Sequence, residues 1–169
     1  MNADARRRSI LEVLRSGAAP QAASALAARF GVSRQVVVGD IALLRAYGNN
    51  ISATPRGYVL ERETGMSERT LACVHSGQDM QRELNIMVDN GCIVKDVIVE
   101  HPVYGQLTGS LELKSRYDVK SFVERSAEAL PLSSLTDGLH LHTLLCPDEE
   151  AFRRVVKELG EAGFLLEEG

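Results

Sequence analysis

Leu139-His140-Leu141-His142-Thr143-Leu144-Leu145 is apolar enough, and free enough of turn-formers, to be a buried strand. Its two histidines stand at i and i+2, so both side chains leave the same face. A strand that only fills a core would carry aliphatic residues at those positions. The chain has four histidines in 169 residues, and half of them fall in this stretch. Two readings fit the stretch alone: a pair of metal ligands on a sheet, or two hydrogen-bonded histidines on a core strand.

The segments on either side decide what sheet this strand closes. Glu68 to His75 is an apolar strand containing Leu71, Cys73 and Val74. His75-Ser76-Gly77 ends it and opens a helix from about Gln78 to Asn90, with Gly91 as its C-cap. Ile93 to His101 reads as a strand, Pro102-Val103-Tyr104-Gly105 as a turn, and Gln106 to Leu113 as the returning strand. Ser115 caps a helix to about Ser126, residues 130–138 form a loop, and after the opening strand Asp148 caps a helix to Ala162, stopped by Gly163. The order β-α-β-β-α-β-α predicts an α+β body over 68–169, ferredoxin-like with an extra C-terminal helix.

In a ferredoxin-like sheet the first and fourth strands are antiparallel neighbours. The end carrying His75 should therefore meet the start carrying His140 and His142, with Glu83 on the intervening helix able to return as a fourth group. Three imidazoles and a carboxylate suit a borderline divalent cation, Zn²⁺ or Ni²⁺. His101 has two readings: a turn residue bonded within its hairpin, or, with Tyr104, part of an effector-binding pocket.

Residues 1–62 read as a separate head. Ile10, Leu11 and Leu14 lie on one side of a first helix, which Gly17-Ala18-Ala19-Pro20 ends. A second helix runs from Gln21 to Phe30 with Leu26 inward. Gly31 is a C-cap, and Ser33 is an N-cap for a third helix that turns Val37, Ile41 and Leu44 inward. Two helices joined by Phe30-Gly31-Val32-Ser33 make a helix-turn-helix. The Thr54-Pro55-Arg56-Gly57 turn between two β-prone runs adds a hairpin wing. Ser33, Arg34, Gln35, Val36 and Val38 should face a DNA major groove, and Arg56 a phosphate or the minor groove. Residues 63–67 form a polar linker.

Charge separates the two parts. Residues 1–62 carry +5 and residues 63–169 carry −9, as expected of a head that meets a polyanion and a body that does not. Three cysteines without Cys-x-x-Cys spacing suggest reduced, buried residues of a cytoplasmic protein. No run approaches the ~18–20 apolar residues needed to span a bilayer, and the arginine-rich start is not a signal peptide.

Phe30-Gly31-Val32-Ser33-Arg34, Asp40-Ile41, Leu44-Arg45, Gly48 and Arg56-Gly57-Tyr58 resemble the winged heads of biotin-ligase-type bacterial repressors. His75-Ser76-Gly77 with Glu83, Glu100-His101-Pro102-Val103-Tyr104-Gly105 and Gly138-Leu139-His140-Leu141-His142 resemble the three-histidine domain of niacin-responsive transcriptional repressors. The resemblance spans nearly the whole chain. It departs at Gly39, where such heads often carry an arginine and where glycine costs the helix ~1 kcal/mol against alanine. The resemblance implies a homodimer on operator DNA, a metal site at His75, Glu83, His140 and His142, and nicotinic acid or nicotinamide as effector for NAD-precursor genes. Two alternatives stand beside it. The metal itself could be the effector, or the cluster could be catalytic with Glu100 or Asp137 as base, although the body is small for an enzyme.

Overall fold

The computed structural model describes residues 1–17, 19–61, 65–127, 129 and 131–166. Residues 63 and 64 of the expected linker and Leu130 of the expected loop lie outside these. Two compact units divide the chain, Met1–Glu63 and Thr64–Gly169.

The first unit contains α1 (Ala3–Ser16), α2 (Ala23–Phe30), α3 (Arg34–Ala46), β1 (Ile51–Thr54) and β2 (Gly57–Leu60). Gly31 ends α2 at φ 64°, a conformation that glycine adopts without a Cβ penalty. Two residues on, the Ser33 side chain accepts the Val36 amide at 3.2 Å and starts α3. Ile10, Leu14, Leu26, Val37, Ile41, Leu44 and Ile51 form one core. The wing is the antiparallel pair β1–β2, and it is held to the α1–α2 connection. Tyr58 donates its amide to the Gln21 carbonyl at 2.8 Å, and Gln21 donates back at 2.9 Å. Gly57 permits this approach, since a Cβ there would come within 2.4 Å of the Gln21 carbonyl carbon.

The second unit contains β3 (Ser67–Val74), α4 (Met80–Asp89), β4 (Ile93–His101), β5 (Gly105–Leu113), α5 (Arg116–Ser126), β6 (Leu139–Cys146) and α6 (Glu149–Glu161). Short 3₁₀ turns, Gly77–Asp79 and Leu132–Thr136, precede α4 and β6. The α+β class and the order of elements follow the sequence. The sheet order is β3-β6-β4-β5 and every pair is antiparallel. A ferredoxin-like sheet would keep the first strand of the domain inside, between the fourth and the third. Here the fourth strand, β6, is inside and the first, β3, is at the edge. The neighbour relation that matters for the histidines is common to both orders.

Leu84, Met87 and Val88 of α4, Val119 of α5 and Ala151, Val155 and Leu159 of α6 enter one core with Leu71 and Cys73 of β3 and Leu144 and Cys146 of β6. By strand alternation His140 and His142 share the face of Leu144 and Cys146 and point toward the helices. Leu139 on the other face is exposed, and Leu141 and Leu145 are half-buried. The edge of β3 is covered by the residues after α6: Val74 donates to the Phe164 carbonyl at 2.8 Å and Leu166 to the Ala72 carbonyl at 3.0 Å. All three cysteines are free and buried.

Gly39 sits within α3, where an added Cβ would meet nothing within 4 Å. Gly39→Ala should therefore stabilise the head by about 0.5–1 kcal/mol. Native-state hydrogen exchange at the α3 amides should show the matching slowing; unchanged or faster exchange would contradict this account of the helix.

Candidate metal centre and nucleic-acid interface

The β3–β6 ladder pairs Leu71 with His142, Cys73 with His140 and Val74 with Leu139. His75 follows β3 directly, so three histidines converge from the ends of two neighbouring strands. Ring centroids of His75 and His140, and of His140 and His142, are 4.8 Å apart in both cases, with the planes nearly perpendicular. Glu83 in the first turns of α4 reaches down onto them and is 1% exposed. His140 Nε2 lies 2.9 Å from Glu83 Oε2, and His142 Nε2 meets Oε1. His75 Nε2 lies against Oε2 yet has no hydrogen-bond partner there.

The other ring nitrogens fix what these contacts mean. His75 Nδ1 is 2.7 Å from the Ser76 carbonyl, His140 Nδ1 2.8 Å from that of Gly138, and His142 Nδ1 2.7 Å from that of Asp96. A carbonyl oxygen can only accept, so each Nδ1 carries the hydrogen and each neutral ring presents its lone pair at Nε2. Three lone pairs and a carboxylate, all acceptors, then face one another in a dry site. Only protons or a cation can hold such a set together. Burial would raise the Glu83 carboxyl, but the His142 charge and the bonds from His140 and His142 overcome it and hold the carboxyl at about 2. Burial likewise pushes His142 toward the neutral form, and Glu83 reverses the shift and raises its pKa. The same four groups, with the protons removed, are a donor set for a borderline divalent ion.

Several contributors are not among the ligands expected from the sequence. Asp96 lies at a bulge in β4, where the register slips between Val94 and Asp96. It holds His142 through its carbonyl while its carboxylate accepts the Thr143 amide at 3.0 Å. Cys73 stands beside the cluster, directly across from His140. The Phe164 ring covers His75 with centroids 5.1 Å apart. Gly138, at φ 89°, supplies the carbonyl for His140, and a Cβ on it would come within 2.4 Å of the His75 carbonyl oxygen.

His101 and Tyr104 are not brought to this cluster. His101 Nδ1 accepts the Val103 amide at 3.1 Å and the Tyr104 amide at 3.2 Å, which is the turn role, and Tyr104 is 74% exposed. Glu100 and Asp137, the bases that a catalytic reading would use, are exposed.

In the head, Arg34, Gln35 and Val36 are exposed at the start of α3, Val38 is half-buried, and Ser33 is exposed with its oxygen engaged as the cap. Gly39, Ala42, Leu43 and Ala46 continue the exposed face of the helix, small enough for the most part to let it sit close to a groove. Arg56 is half-buried in the wing turn, where its amide donates to Thr54 Oγ1 at 3.2 Å. Not every arginine in this basic unit faces outward. Arg6 binds Asp40 through Nε at 2.6 Å and a terminal nitrogen at 3.2 Å, and Arg7 adds a contact at 3.4 Å. Asp40 is buried, so the first two arginines of the Arg6-Arg7-Arg8 run pin α1 to α3.

Gly138→Ala should displace His75, free His140 from its carbonyl and lower metal affinity by the ~10–100-fold typical of losing an orienting partner. Competition against a chromophoric chelator measures this, and wild-type affinity in the variant would show that the close approach is dispensable.

Residues 6–59 match an HTH domain family and residues 68–168 a 3H domain family. The chain is 45% identical over 166 residues to "Probable transcription repressor NiaR" of Thermotoga maritima, covering 97% of this chain and 95% of that protein. It is 41% identical over 169 residues to "Transcription repressor NadR" of Bacillus subtilis, covering 96% and 94% respectively. With both halves matched and the order of elements conforming, the chain belongs to the niacin-responsive transcriptional repressor family, a helix-turn-helix head joined to a 3H domain.

Proposed function

We propose that this protein represses genes of NAD-precursor uptake or synthesis by binding operator DNA as a homodimer, and that its 3H domain holds a divalent ion and senses nicotinic acid or nicotinamide. The observation that carries the sensing half is the cluster of three Nε2 lone pairs on one buried carboxylate. His75, Glu83, His140 and His142 would hold the ion, Ni²⁺ or Zn²⁺ by donor type. When bound, it would supply a Lewis-acidic anchor for a pyridine carboxylate or amide. Ser76, Gly138 and Asp96 orient the three rings through their carbonyls, and Phe164 and α4 keep water from the far side. His101 and Tyr104, at an exposed hairpin tip, add nothing to this pocket within one chain; as effector contacts they would serve a neighbouring protomer.

The DNA half rests on α3. Arg34 and Gln35 at its exposed N-terminal turn have the donor geometry for guanine and adenine edges, and Val36 can meet a thymine methyl. Two heads read a palindromic operator, so a dimer is required. The sheet face bearing Leu139, Leu141 and Leu145 offers apolar surface for it. An effector that binds one arrangement of the heads better shifts the population toward it, with no chemistry needed. The family and the exposed positions of Glu100 and Asp137 both favour this regulator over a metal-dependent enzyme.

Operator binding measured after chelation, then with Ni²⁺ or Zn²⁺ alone, then with nicotinic acid added, tests the sensing half. The expected result is a response that needs both ion and acid and disappears in His140→Ala/His142→Ala. A full response to the ion alone would make the metal the effector. For the head, Arg34→Ala should cost ~1–3 kcal/mol of specific binding and relax the preference at one base position. An unchanged affinity would mean that another element reads the operator.

A further inference from the structure

We infer that Cys73 is a fifth donor of the metal centre, so that the ion held by the three histidines and Glu83 also takes a thiolate sulfur. The inference rests on the metal reading above and extends it. Cys73 lies opposite His140 in the β3–β6 register, on the helix-facing side, and is 0% exposed. Its Sγ, a Glu83 carboxylate oxygen and a His140 ring nitrogen all lie within 4.8 Å of one another. Metal–sulfur and metal–nitrogen bonds of ~2.3 and ~2.0 Å put the two donors ~3–3.5 Å apart at adjacent positions and ~4.3 Å apart at opposite ones, so the sulfur joins the sphere when the donors close on the ion by roughly half an ångström to ~1.5 Å.

Charge is compatible with this geometry. Three neutral imidazoles and one carboxylate leave a divalent ion with a net positive charge in a site that excludes water. A thiolate brings the centre to neutrality, which removes the largest cost of burying it. The Cys73 S–H bond breaks, its proton leaves to solvent, and a metal–sulfur bond forms; nothing is oxidised. The other two cysteines lack this setting. Cys92 and Cys146 lie with their sulfurs 3.1 Å apart, and Cys146 pairs with Ser67 at the opposite end of β6 from His140. A sulfur donor would also bias the site toward softer ions and away from Mg²⁺ or Mn²⁺.

X-ray absorption at the zinc edge of the zinc-loaded full chain decides the matter. The expected spectrum contains one sulfur scatterer at ~2.3 Å beside the nitrogen and oxygen shell at ~2.0–2.1 Å. Cys73→Val and Cys73→Ser should both lose the sulfur shell, and the wild type loaded with Co²⁺ should show a thiolate-to-metal charge-transfer band that the variants lack. Zinc affinity should drop by more than the ~10-fold that removal of a supporting group brings. Bound zinc with only nitrogen and oxygen neighbours in the wild type would overturn the inference and leave the four-residue site standing. A wild-type chain that takes up neither zinc nor nickel would overturn both. Because the wild-type spectrum is itself decisive, a variant that fails to fold does not shield the proposal.

Discussion

Three hydrogen bonds from histidine Nδ1 to backbone carbonyls set the chemistry of the second unit. Each commits its ring to one tautomer and aims the remaining lone pair at Glu83. The carbonyls come from three different places: Ser76 just after β3, Gly138 just before β6, and Asp96 in β4. A side-chain cluster could relax if one ring turned. Here a ring can turn only by giving up a backbone hydrogen bond, which for His142 lies in a buried place and costs ~1–3 kcal/mol to lose. The orientation of the rings is therefore set by main chain, through one carbonyl within a strand and two at strand ends.

The peculiarities of the sheet follow from supplying those carbonyls. The register shift in β4 between Val94 and Asp96 sets Asp96 opposite Thr143, with its carbonyl 2.7 Å from His142 Nδ1. Gly138 carries no Cβ because the His75 backbone occupies that space. With β6 inside the sheet, His142 has Leu71 on one side and Val97 on the other, and His140 is paired with Cys73. With β3 at the edge, the segment after α6 can pair along it and lay Phe164 over His75. An edge strand left open would expose both its own amides and the third histidine.

Much of this was legible beforehand, and the limits are physical. Alternation along Leu139–Leu145 put both histidines on one face, and the β-α-β-β-α-β order made β3 and β6 neighbours. Those two inferences assemble His75, Glu83, His140 and His142. Sheet order was not legible, because first-beside-fourth pairing is satisfied both by the ferredoxin-like order, with the first and third strands inside, and by the observed one, with the fourth and second inside. Asp96 acts through its carbonyl, which every residue has, so no residue type could announce it. Cys73 read as core because it is core; its second property appears only with the register. In the head, capping residues and the apolar stripe placed the helices. Nothing in the Arg6-Arg7-Arg8 run announces that Arg6 and Arg7 neutralise Asp40, a residue buried by helical phase rather than by hydrophobicity.

That buried pair and the histidine cluster differ in what they contribute. Arg6 and Asp40 form a matched ion pair that links two helices, and the pair is complete as it stands. The cluster on β6 is incomplete without protons or a cation, although it occupies helix-facing positions where leucine, as at Leu144, would pack without desolvating anything. A sheet selected only for stability would have continued the aliphatic run through positions 140 and 142. The apolar alternative is available two residues away on the same face, so stability does not account for the polar set. A divalent ion in place of its protons would complete the set, which is the strongest physical reason to propose the second unit as a binding domain rather than a dimerisation scaffold.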